Sequence, residues 1–385
     1  MLITRTKLKN WRNFRNGEAM LGDVTYVVGA NASGKSNFLD VFRFLRDIAK
    51  PDGGGLQKAI SDRGGLSKLR CLHARRDPEV LIEIEVSEKL GDAAPKWRYV
   101  LGIKSEGVGK QRPVVSREEV YGLGHDQPVL CRPSHDDASD PDLLTQTALE
   151  QIQTNKAFRE LVEHFAYTTY LHVVPQLIKF GDSIGGRQLE SDPFGQAFLD
   201  RIAKTPEKTR EIRLKRIQQA LAKAIPQFEV IRFIRDEISG RPHLEANYAH
   251  YRANGSWQRE DQFSDGTLRL IALFWILLDG KSTLLLEEPE LSLDEEIVRQ
   301  LPRMIEKIRR SKKHRQIIIS THSRALLEEK AIDARFILRL EPDAEGTRIE
   351  MPSSDEKALI RSGFSAAEAI MAKVHPKQAI QMDLF

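Results

Sequence analysis

The sequence predicts an α/β fold, in which a mixed and parallel sheet is flanked by helices and accompanied by an antiparallel β subdomain. Residues 24–28 have the pattern of a short buried strand, residues 29–36 fill the pattern GxxxxGK[ST], and apolar residues then recur at helical spacing. Residues 81–121 contain alternating patterns that are typical of antiparallel strands. Beyond residue 263 helix and strand patterns alternate, which indicates a parallel sheet.

Residues 29–36, called the phosphate loop below, have the spacing of a phosphate-binding loop between a strand and a helix. In that order, the backbone N–H groups of the loop and the N-terminus of the helix face one point, where they hold an anionic phosphate chain. Lys35 is then expected to reach the β- and γ-phosphates, and Ser36 to ligate Mg²⁺. The candidate nucleotide-binding residues of this region are Gly29, Asn31, Ser33, Gly34, Lys35, Ser36 and Asn37.

Composition restricts the class of protein and its partners. Lys plus Arg exceed Asp plus Glu by only 59 to 55 in 385 residues, so nucleic-acid binding is permitted but not required. Cys71 and Cys131 have no CxxC or Cys/His spacing, which argues against a zinc site or a disulfide scaffold and fits a reducing compartment. No signal peptide is recognisable, and the longest apolar run, residues 271–278, is far shorter than the ~20 residues that cross a bilayer. We therefore expect a cytoplasmic protein without a membrane partner.

The first part of the chain combines the phosphate loop with strands. Residues 2–9 alternate apolar and polar side chains as an antiparallel strand does, and residues 10–14 are predicted to follow as a loop. Three further strands are predicted at residues 81–86, 99–103 and 113–121. We expect their sheet to lie beside the nucleotide core rather than within it, and the first domain to comprise residues 1–139.

A mostly helical insertion is predicted at residues 140–226. Amphipathic patterns predict helices at residues 143–164, 194–203 and 209–224. No heptads are sustained over three or four repeats, so a long coiled-coil arm is not expected. Residues 227–385 form the third predicted domain, which begins with strands at residues 228–235 and 242–248.

Residues 264–267, called the SDGT loop below, lead directly into an apolar helix predicted at residues 268–278. A serine hydroxyl, loop N–H groups and a helix dipole that meet at one helix start form an anion-binding site. The alternative is an ordinary helix cap, since Ser and Asp are both favoured at that position.

A short apolar strand predicted at residues 283–286 ends in two adjacent carboxylates, Glu287 and Glu288. Neighbouring strand residues point in opposite directions, so the two acids can have different roles. We expect Glu287 to orient the ligand shell of Mg²⁺ and Glu288 to polarise the attacking water. The alternative is a strand end with solvated acids, which the apolar strand and the position of the pair disfavour.

A second apolar strand, predicted at residues 317–319, ends in the sequence Ser-Thr-His-Ser. Open parallel sheets bind ligands at the carboxyl ends of their strands. His322 is therefore a candidate for a hydrogen bond to the γ-phosphate, and the alternative is a structural histidine.

The order of these motifs is that of ABC-type ATPases: phosphate loop, SDGT at a helix start, a strand with Glu-Glu-Pro-Glu, then Ser292-Leu293-Asp294, and a strand with Ser-Thr-His-Ser. Residues 29–36 and 263–323 closely resemble the compact AAA-type (AAA_21-like) predicted ATPases of the SMC, RecF and OLD-like group. The resemblance also covers the opening strand and the stretch LKNWRNF at residues 8–14, but not the helical insertion.

The resemblance implies an ABC-type P-loop NTPase head that uses ATP and Mg²⁺ and works as a homodimer. Only about sixty residues follow His322, so a TOPRIM domain such as OLD proteins carry is not expected, and neither is a coiled-coil arm. It implies that Ser264 and Gly266 lie in the signature loop, which in the family contacts the γ-phosphate held by the other subunit. The remaining matched positions are Glu287 as the Walker B carboxylate, Asp294 in the D-loop and His322 as the switch histidine. The candidate catalytic residues are Lys35, Glu288 and His322, and the candidate metal ligands are Ser36 and Glu287.

Two assignments stay open at this point. The family's Q-loop glutamine is either Gln57 or Gln127, and neither has a context that decides. Residues 11–14 lie in the stretch that would flank the adenine base, but they are equally consistent with loop packing.

Two biological roles fit such a head. In the first, the dimer is a nucleotide-driven sensor that regulates a separately encoded effector protein, for which the resemblance suggests a nuclease in phage defence. In the second, it is a RecF-like ATPase that itself holds DNA in repair or recombination. The basic residues 307–315 are either a nucleic-acid surface or cations favoured by the dipole at a helix end.

Overall fold

The structure is a computed structural model that describes residues 1–74, 77–107, 112–125, 127–184, 192–249, 256–280, 282–311, 315–330 and 332–371. Its strands are β1 (Leu2–Trp11), β2 (Phe14–Met20), β3 (Val24–Val28), β4 (Val80–Ser87), β5 (Trp97–Ser105), β6 (Pro113–Gly122), β7 (Leu130–Arg132), β8 (Thr169–Leu171), β9 (Phe228–Arg235), β10 (Pro242–Tyr248), β11 (Ser256–Arg259), β12 (Leu284–Glu287), β13 (Ile317–Thr321), β14 (Ile337–Asp343) and β15 (Gly346–Glu350). Its α-helices are α1 (Lys35–Ala49), α2 (Leu56–Ser61), α3 (Leu66–Leu69), α4 (His135–Ser139), α5 (Arg159–Ala166), α6 (Pro175–Ile184), α7 (Phe198–Lys204), α8 (Glu207–Ala224), α9 (Asp265–Leu278), α10 (Glu295–Ser311), α11 (Ser354–Arg361) and α12 (Ala366–Ile370).

The first sheet has the order β2-β1-β4-β5-β6-β7, with antiparallel neighbours. The strands expected at residues 81–86, 99–103 and 113–121 are confirmed as β4, β5 and β6. Along β4 buried and partly exposed residues alternate, so Ile82, Ile84 and Val86 form one buried face.

The expectation that residues 10–14 form a loop is wrong. β1 continues to Trp11 and β2 begins at Phe14, and these two residues are cross-strand partners. The turn is therefore reduced to Arg12 and Asn13, with Arg12 in the left-handed region at φ 49°. Sequence patterning missed β2 because its stretch Arg15-Asn16-Gly17-Glu18 contains residues that are rare in strands.

The second sheet has the order β15-β14-β3-β13-β12-β8. β3 is parallel to both β13 and β14, and β14 pairs antiparallel with β15. The residues of β13 are all buried, as is typical of parallel strands that are covered on both faces. The predicted mixed sheet is thus confirmed, and its architecture is α/β with helices on a sheet that carries the phosphate loop.

The chain divides into two compact units. Unit 1 comprises residues 1–169, 282–285 and 315–385, and unit 2 comprises residues 170–281 and 286–314. Unit 2 contains the antiparallel sheet β11-β10-β9 and helices α6 to α10. In α9 every residue from Thr267 to Leu278 is buried, which confirms the predicted apolar helix. Among the described residues, no helix combines the length and apolar character that crossing a membrane requires.

The helix expected at residues 143–164 is largely wrong. This region contains 3₁₀ turns at Pro141–Thr145 and Thr154–Phe158, and α5 begins only at Arg159. The amide of Ala148 donates to both carboxylate oxygens of the buried Glu118, each at 2.9 Å, and the amide of Thr147 donates to Glu150 at 2.7 Å. These side-chain acceptors take backbone donors that a helix would otherwise use, so tertiary contacts override the amphipathic pattern.

The largely buried His164 of α5 predicts an acid-sensitive fold. Burial lowers the pKa of His164 to about 4, whereas an unfolded histidine titrates near 6.5. Because the folded state holds the neutral ring, stability is full above pH 6.5 and is lost as the pH falls toward 4. We expect His164 to reduce the free energy of unfolding by about 2 kcal/mol between pH 7 and pH 5.

Urea unfolding at several pH values checks this expectation. The variant His164→Gln should have a flatter profile than the wild type, while His135→Gln, which alters an exposed histidine of α4, should not. Parallel profiles for the wild type and His164→Gln would contradict it.

Candidate functional site

In unit 1 the phosphate loop joins β3 to α1, as predicted. The ammonium of Lys35 donates to the carbonyl oxygens of Gly29 at 3.0 Å and Ala30 at 3.1 Å, so the loop closes around this buried lysine. α1 begins after Gly34, no side-chain hydrogen bond caps this helix start, and the N-terminus of a helix favours an anion. Ser36 and Asn31 are exposed at the loop surface. The arrangement is one that holds a phosphate chain.

Asn13 supports the phosphate loop from the side. Its amide nitrogen donates to the carbonyl oxygen of Ser33 at 3.2 Å and to the hydroxyl of Thr347 at 2.6 Å, and its oxygen accepts from Asn37 at 2.8 Å. A Cβ at Gly34 would lie 2.0 Å from the Asn13 amide nitrogen, and Gly34 has φ 99°, so this position requires glycine. Sequence reasoning missed the role of Thr347, which is far away in the chain and carries no motif.

Among residues 11–14, which were predicted to flank an adenine base or to pack in the fold, several side chains are buried in the fold. Trp11 and Phe14 are completely buried, and the Trp11 indole donates to the Asn37 carbonyl oxygen at 2.8 Å. Arg12 is 2.6 Å from the carboxylate of the buried Asp40. Although burial raises the pKa of Asp40, the guanidinium groups of Arg63 and Arg12 hold it below its usual value. Trp11 and Phe14 therefore pack in the core as paired strand residues, which disfavours a contact of either with an adenine base.

His322 lies at the same edge of the sheet as the phosphate loop. β13 runs parallel to β3 with Thr321 opposite Val28, so His322 and Gly29 follow at neighbouring carboxyl ends. The His322 side chain is exposed. Within unit 1, the structure thus brings the predicted switch histidine beside the loop, where its ring can reach a ligand.

In unit 2 the SDGT loop caps α9. The Ser264 hydroxyl oxygen accepts from the Thr267 amide at 3.1 Å, so the cap interpretation is correct, yet Ser264 remains exposed. A Cβ at Gly266 would lie 2.7 Å from the carbonyl oxygen of Ser292, which requires glycine here. The SDGT loop is therefore packed directly against the segment of residues 287–294, called the carboxylate segment below.

The carboxylate segment starts at the end of β12. Glu287 and Glu288 are both half-buried, and Glu288 has φ 44°, in the left-handed region that costs a non-glycine residue energy. The Tyr170 hydroxyl donates to Glu287 Oε2 at 2.5 Å, and His172 Nδ1 lies 3.2 Å from the Glu287 carbonyl oxygen. Sequence reasoning missed both contacts. Strained backbone of this kind is concentrated at functional sites, which fits the role predicted for Glu288.

Asp294 closes the carboxylate segment as a helix cap. Its carboxylate accepts from the Glu296 amide at 2.9 Å at the start of α10, and the residue is exposed. In unit 2 the structure therefore gathers Ser264, Gly266, Glu287, Glu288 and Asp294 in adjoining loops, two of which expose helix-capping side chains.

The described part of the chain contains no group of three or more His, Cys, Asp or Glu side chains arranged to hold a metal ion. Nucleotide-bound Mg²⁺ does not need such a cluster, since it takes one or two carboxylates together with phosphate oxygens and water. A hydroxyl such as that of Ser36 and a carboxylate such as that of Glu287 are oxygen ligands that suit this ion.

The Q-loop glutamine remains unassigned. The Gln57 side chain donates to the carbonyl oxygens of Pro113 and Thr145, at 2.9 and 2.8 Å, which is a structural role. Gln127 is exposed.

The basic run at residues 307–315 is partly neutralised within α10. Arg309 and Arg310 both form ion pairs with Glu306, at 2.7 and 2.6 Å. Lys312 and Lys313, which contributed to the predicted nucleic-acid surface, lie outside the described residues.

The chain matches a known protein family over most of its length. A family model described as "AAA domain, putative AbiEii toxin, Type IV TA system" matches residues 24–328. A comparison with curated proteins returned no match.

Among solved structures, the chain is similar to an SMC head bound to the C-winged helix domain of ScpA, with 17% identity, a TM-score of 0.55, and coverage of 93% of this chain and 100% of that chain. It is also similar to a Pyrococcus furiosus Smc head domain with an extended coiled coil, bound to the C-terminal domain of ScpA. There the identity is 16%, the TM-score 0.51, and the coverage 94% of this chain and 98% of that chain. These structures establish the fold, which is the ABC-type P-loop ATPase fold of SMC heads.

Proposed function

The chain belongs to the AAA-domain family whose model it matches over residues 24–328, and we propose that it binds and hydrolyses Mg·ATP as a homodimer that regulates a separately encoded effector. The observation that carries the ATPase activity is the phosphate loop, in which the Lys35 ammonium is enclosed by loop carbonyls at an uncapped helix start. Backbone N–H groups and a helix dipole at this position favour the binding of a phosphate chain.

Each residue then has a defined task. Lys35 would exchange its loop carbonyls for the β- and γ-phosphate oxygens, and the Ser36 hydroxyl and the Glu287 carboxylate would be the protein's oxygen ligands for Mg²⁺. The metal ion, when bound, neutralises charge on the phosphates. Glu288 accepts a hydrogen bond from the attacking water and increases its nucleophilicity, and His322 donates to the γ-phosphate.

The dimer is supported by the exposure of the SDGT loop. Ser264 accepts from the Thr267 amide and lies 2.8 Å from the Thr267 hydroxyl, and its exposed hydroxyl would turn its proton toward a phosphate held by a second copy. Asp294 is likewise exposed at the start of α10. In this arrangement ATP joins the phosphate loop of one subunit to the SDGT loop of its partner, so hydrolysis controls association.

A protein partner is supported by the solved SMC heads that this chain resembles, both of which carry a domain of ScpA. For the present chain we propose a separately encoded effector, such as a nuclease in phage defence. Co-purification of the protein with the products of adjacent genes, with and without Mg·ATP, tests this role directly.

The alternative is a RecF-like ATPase that itself binds DNA, and the surface of α8 favours it. This helix exposes four cationic side chains, those of Lys208, Lys215, Arg216 and Lys223. Binding to a duplex that weakens steeply with salt, and is reduced by Lys215→Ala and Arg216→Ala together, would support this role. If DNA binding is already lost at physiological salt, the role as regulator of a separately encoded effector is favoured.

The variant Ser264→Arg tests action across the dimer. An arginine in place of this exposed serine should leave ATP binding by the monomer intact but stop hydrolysis, because its bulk occupies the space that the partner's γ-phosphate needs. Mixing Ser264→Arg with Lys35→Ala should restore partial activity, since a mixed dimer has one site with both an intact phosphate loop and an intact SDGT loop.

Turnover of the mixture is measured alongside each variant alone, and exchange of subunits is verified with two different affinity tags. No recovery in spite of demonstrated exchange would argue that the SDGT loop acts within its own subunit.

A further inference from the structure

We propose that residues 170–179, called the coupling segment below, mechanically link the Mg²⁺-binding carboxylate to the SDGT loop and so give the helical insertion a regulatory role. This inference rests on the proposed ATPase function. The segment runs from β8 into α6, and its side chains hold Glu287 at one end and Asp265 at the other.

The first end of the coupling segment orients Glu287. The Tyr170 hydroxyl donates to Glu287 Oε2 at 2.5 Å, and Tyr170 is 6% exposed, so this hydrogen bond is shielded from water. His172 Nδ1 lies 3.2 Å from the carbonyl oxygen of the same residue. The carboxylate is therefore held through both its side chain and its backbone, with Oε2 engaged by the tyrosine. Tyr170 acts as a positioning residue, because its contact is with the metal-binding side chain.

The second end holds the SDGT loop. The Gln176 amide donates to Asp265 Oδ2 at 2.7 Å, and the Lys179 ammonium donates to Asp265 Oδ1 at 2.6 Å. Both oxygens of Asp265 are thus engaged by α6, and the Lys179 side chain is only 12% exposed. Asp265 lies between Ser264 and Gly266. A displacement of α6 would therefore move the residues that are proposed to contact the partner's phosphate.

The SDGT loop and the carboxylate segment, which the two ends of the coupling segment hold, also contact each other at the start of α9. Gly266 lies so close to the carbonyl oxygen of Ser292 that a Cβ there would be 2.7 Å from it, so the SDGT loop and the carboxylate segment are in direct contact. Arg269, one turn further along α9, is buried, and its Nε and Nη1 have no hydrogen-bond partner among the described residues. Burial lowers the pKa of Arg269, and the carboxylates of Asp265, Glu290 and Glu288 oppose this effect. Arg269 thus interacts electrostatically with carboxylates of both the SDGT loop and the carboxylate segment.

The consequence is a route for control from outside the site. A partner that binds the insertion and shifts α6 would change the geometry of Glu287 and of the SDGT loop together. By linkage, occupation of the nucleotide site would alter affinity for that partner to the same extent.

A double-mutant cycle on the full-length protein tests the link. Tyr170→Phe removes one hydroxyl and should raise the Mg²⁺ concentration for half-maximal hydrolysis about 10-fold. Lys179→Met removes one ammonium and should lower kcat about 10-fold with unchanged affinity of the monomer for ATP. Both changes lower one quantity, kcat divided by the Mg²⁺ concentration for half-maximal hydrolysis, by about 10-fold each. If the segment acts as one element, Tyr170→Phe combined with Lys179→Met should lower this ratio by less than the product of the two single effects, and the shortfall should exceed twofold. The matched control is Tyr167→Phe, which alters a tyrosine that is 69% exposed.

Hydrogen exchange gives a second readout that needs no turnover. Tyr170→Phe should increase amide exchange at the distant residues 264–270, and Lys179→Met should increase it at residues 286–290. A merely local role for each bond would leave the far loop unchanged. Single effects that multiply within about twofold, together with unchanged exchange at the far loop, overturn the coupling. If the wild-type protein does not hydrolyse ATP at all, the proposed function fails, whereas the exchange experiment still decides the coupling.

Discussion

Lys35→Ala is expected to reduce the affinity for ATP by about 10²–10⁴-fold, since two hydrogen bonds to charged phosphate oxygens, each contributing about 1.5–3 kcal/mol, are lost. The Lys35 ammonium already lies in the loop, 3.0 and 3.1 Å from the carbonyl oxygens of Gly29 and Ala30. Alanine leaves these carbonyl dipoles facing the phosphates without a cation to compensate for them. Binding of a fluorescent ATP analogue, with and without Mg²⁺, measures the change.

The matched control is Lys58→Ala, because Lys58 is an exposed lysine of α2 whose ion pair with Asp62 is on the surface. It should bind ATP as the wild type does. Circular dichroism establishes that both variants are folded. If Lys35→Ala binds ATP with unchanged affinity, the phosphate loop is not part of the nucleotide-binding site.

The parts of the fold that were predicted correctly depend on local signals. β3, the phosphate loop and α1 follow from an apolar run, spaced glycines and helical periodicity within residues 24–49. β4, β5 and β6 follow from alternation, and α9 from its apolar sequence. Each of these patterns reports burial of the element itself, so no knowledge of distant residues is needed.

The parts that were missed depend on distant partners. Asn13 is fixed by Ser33, Asn37 and Thr347, and Glu287 is held by Tyr170, 117 positions earlier in the chain. Neither set of contacts can be recognised from the spacing of residues in a single sequence. The expected helix at residues 143–164 failed for the same reason, because Glu118 and Glu150 take its backbone donors.

Glu288→Gln is expected to slow ATP hydrolysis by about 10²–10⁴-fold, the range for loss of general-base assistance, while ATP binding survives. Glutamine keeps the size and a hydrogen-bonding group but lacks the negative charge that polarises the water. Because the proposed γ-phosphate contacts Lys35 of one subunit and Ser264 of the other, hydrolysis breaks the bridge between them. The slow variant should therefore accumulate as an ATP-bound dimer, which size-exclusion chromatography with light scattering detects in the presence of Mg·ATP.

Glu287→Gln is the matched comparison, because it makes the same chemical change one residue earlier. Tyr170 already engages Glu287 Oε2, and an amide in place of the carboxylate is a poor ligand for Mg²⁺, so this variant should mainly weaken Mg²⁺-dependent binding. Glu288 instead has a left-handed backbone, φ 44°, that turns its side chain away from a regular strand path and that the fold must stabilise. If Glu288→Gln hydrolyses at the wild-type rate, or if Glu287→Gln loses turnover with metal binding unaffected, the two glutamates do not divide the work in this way.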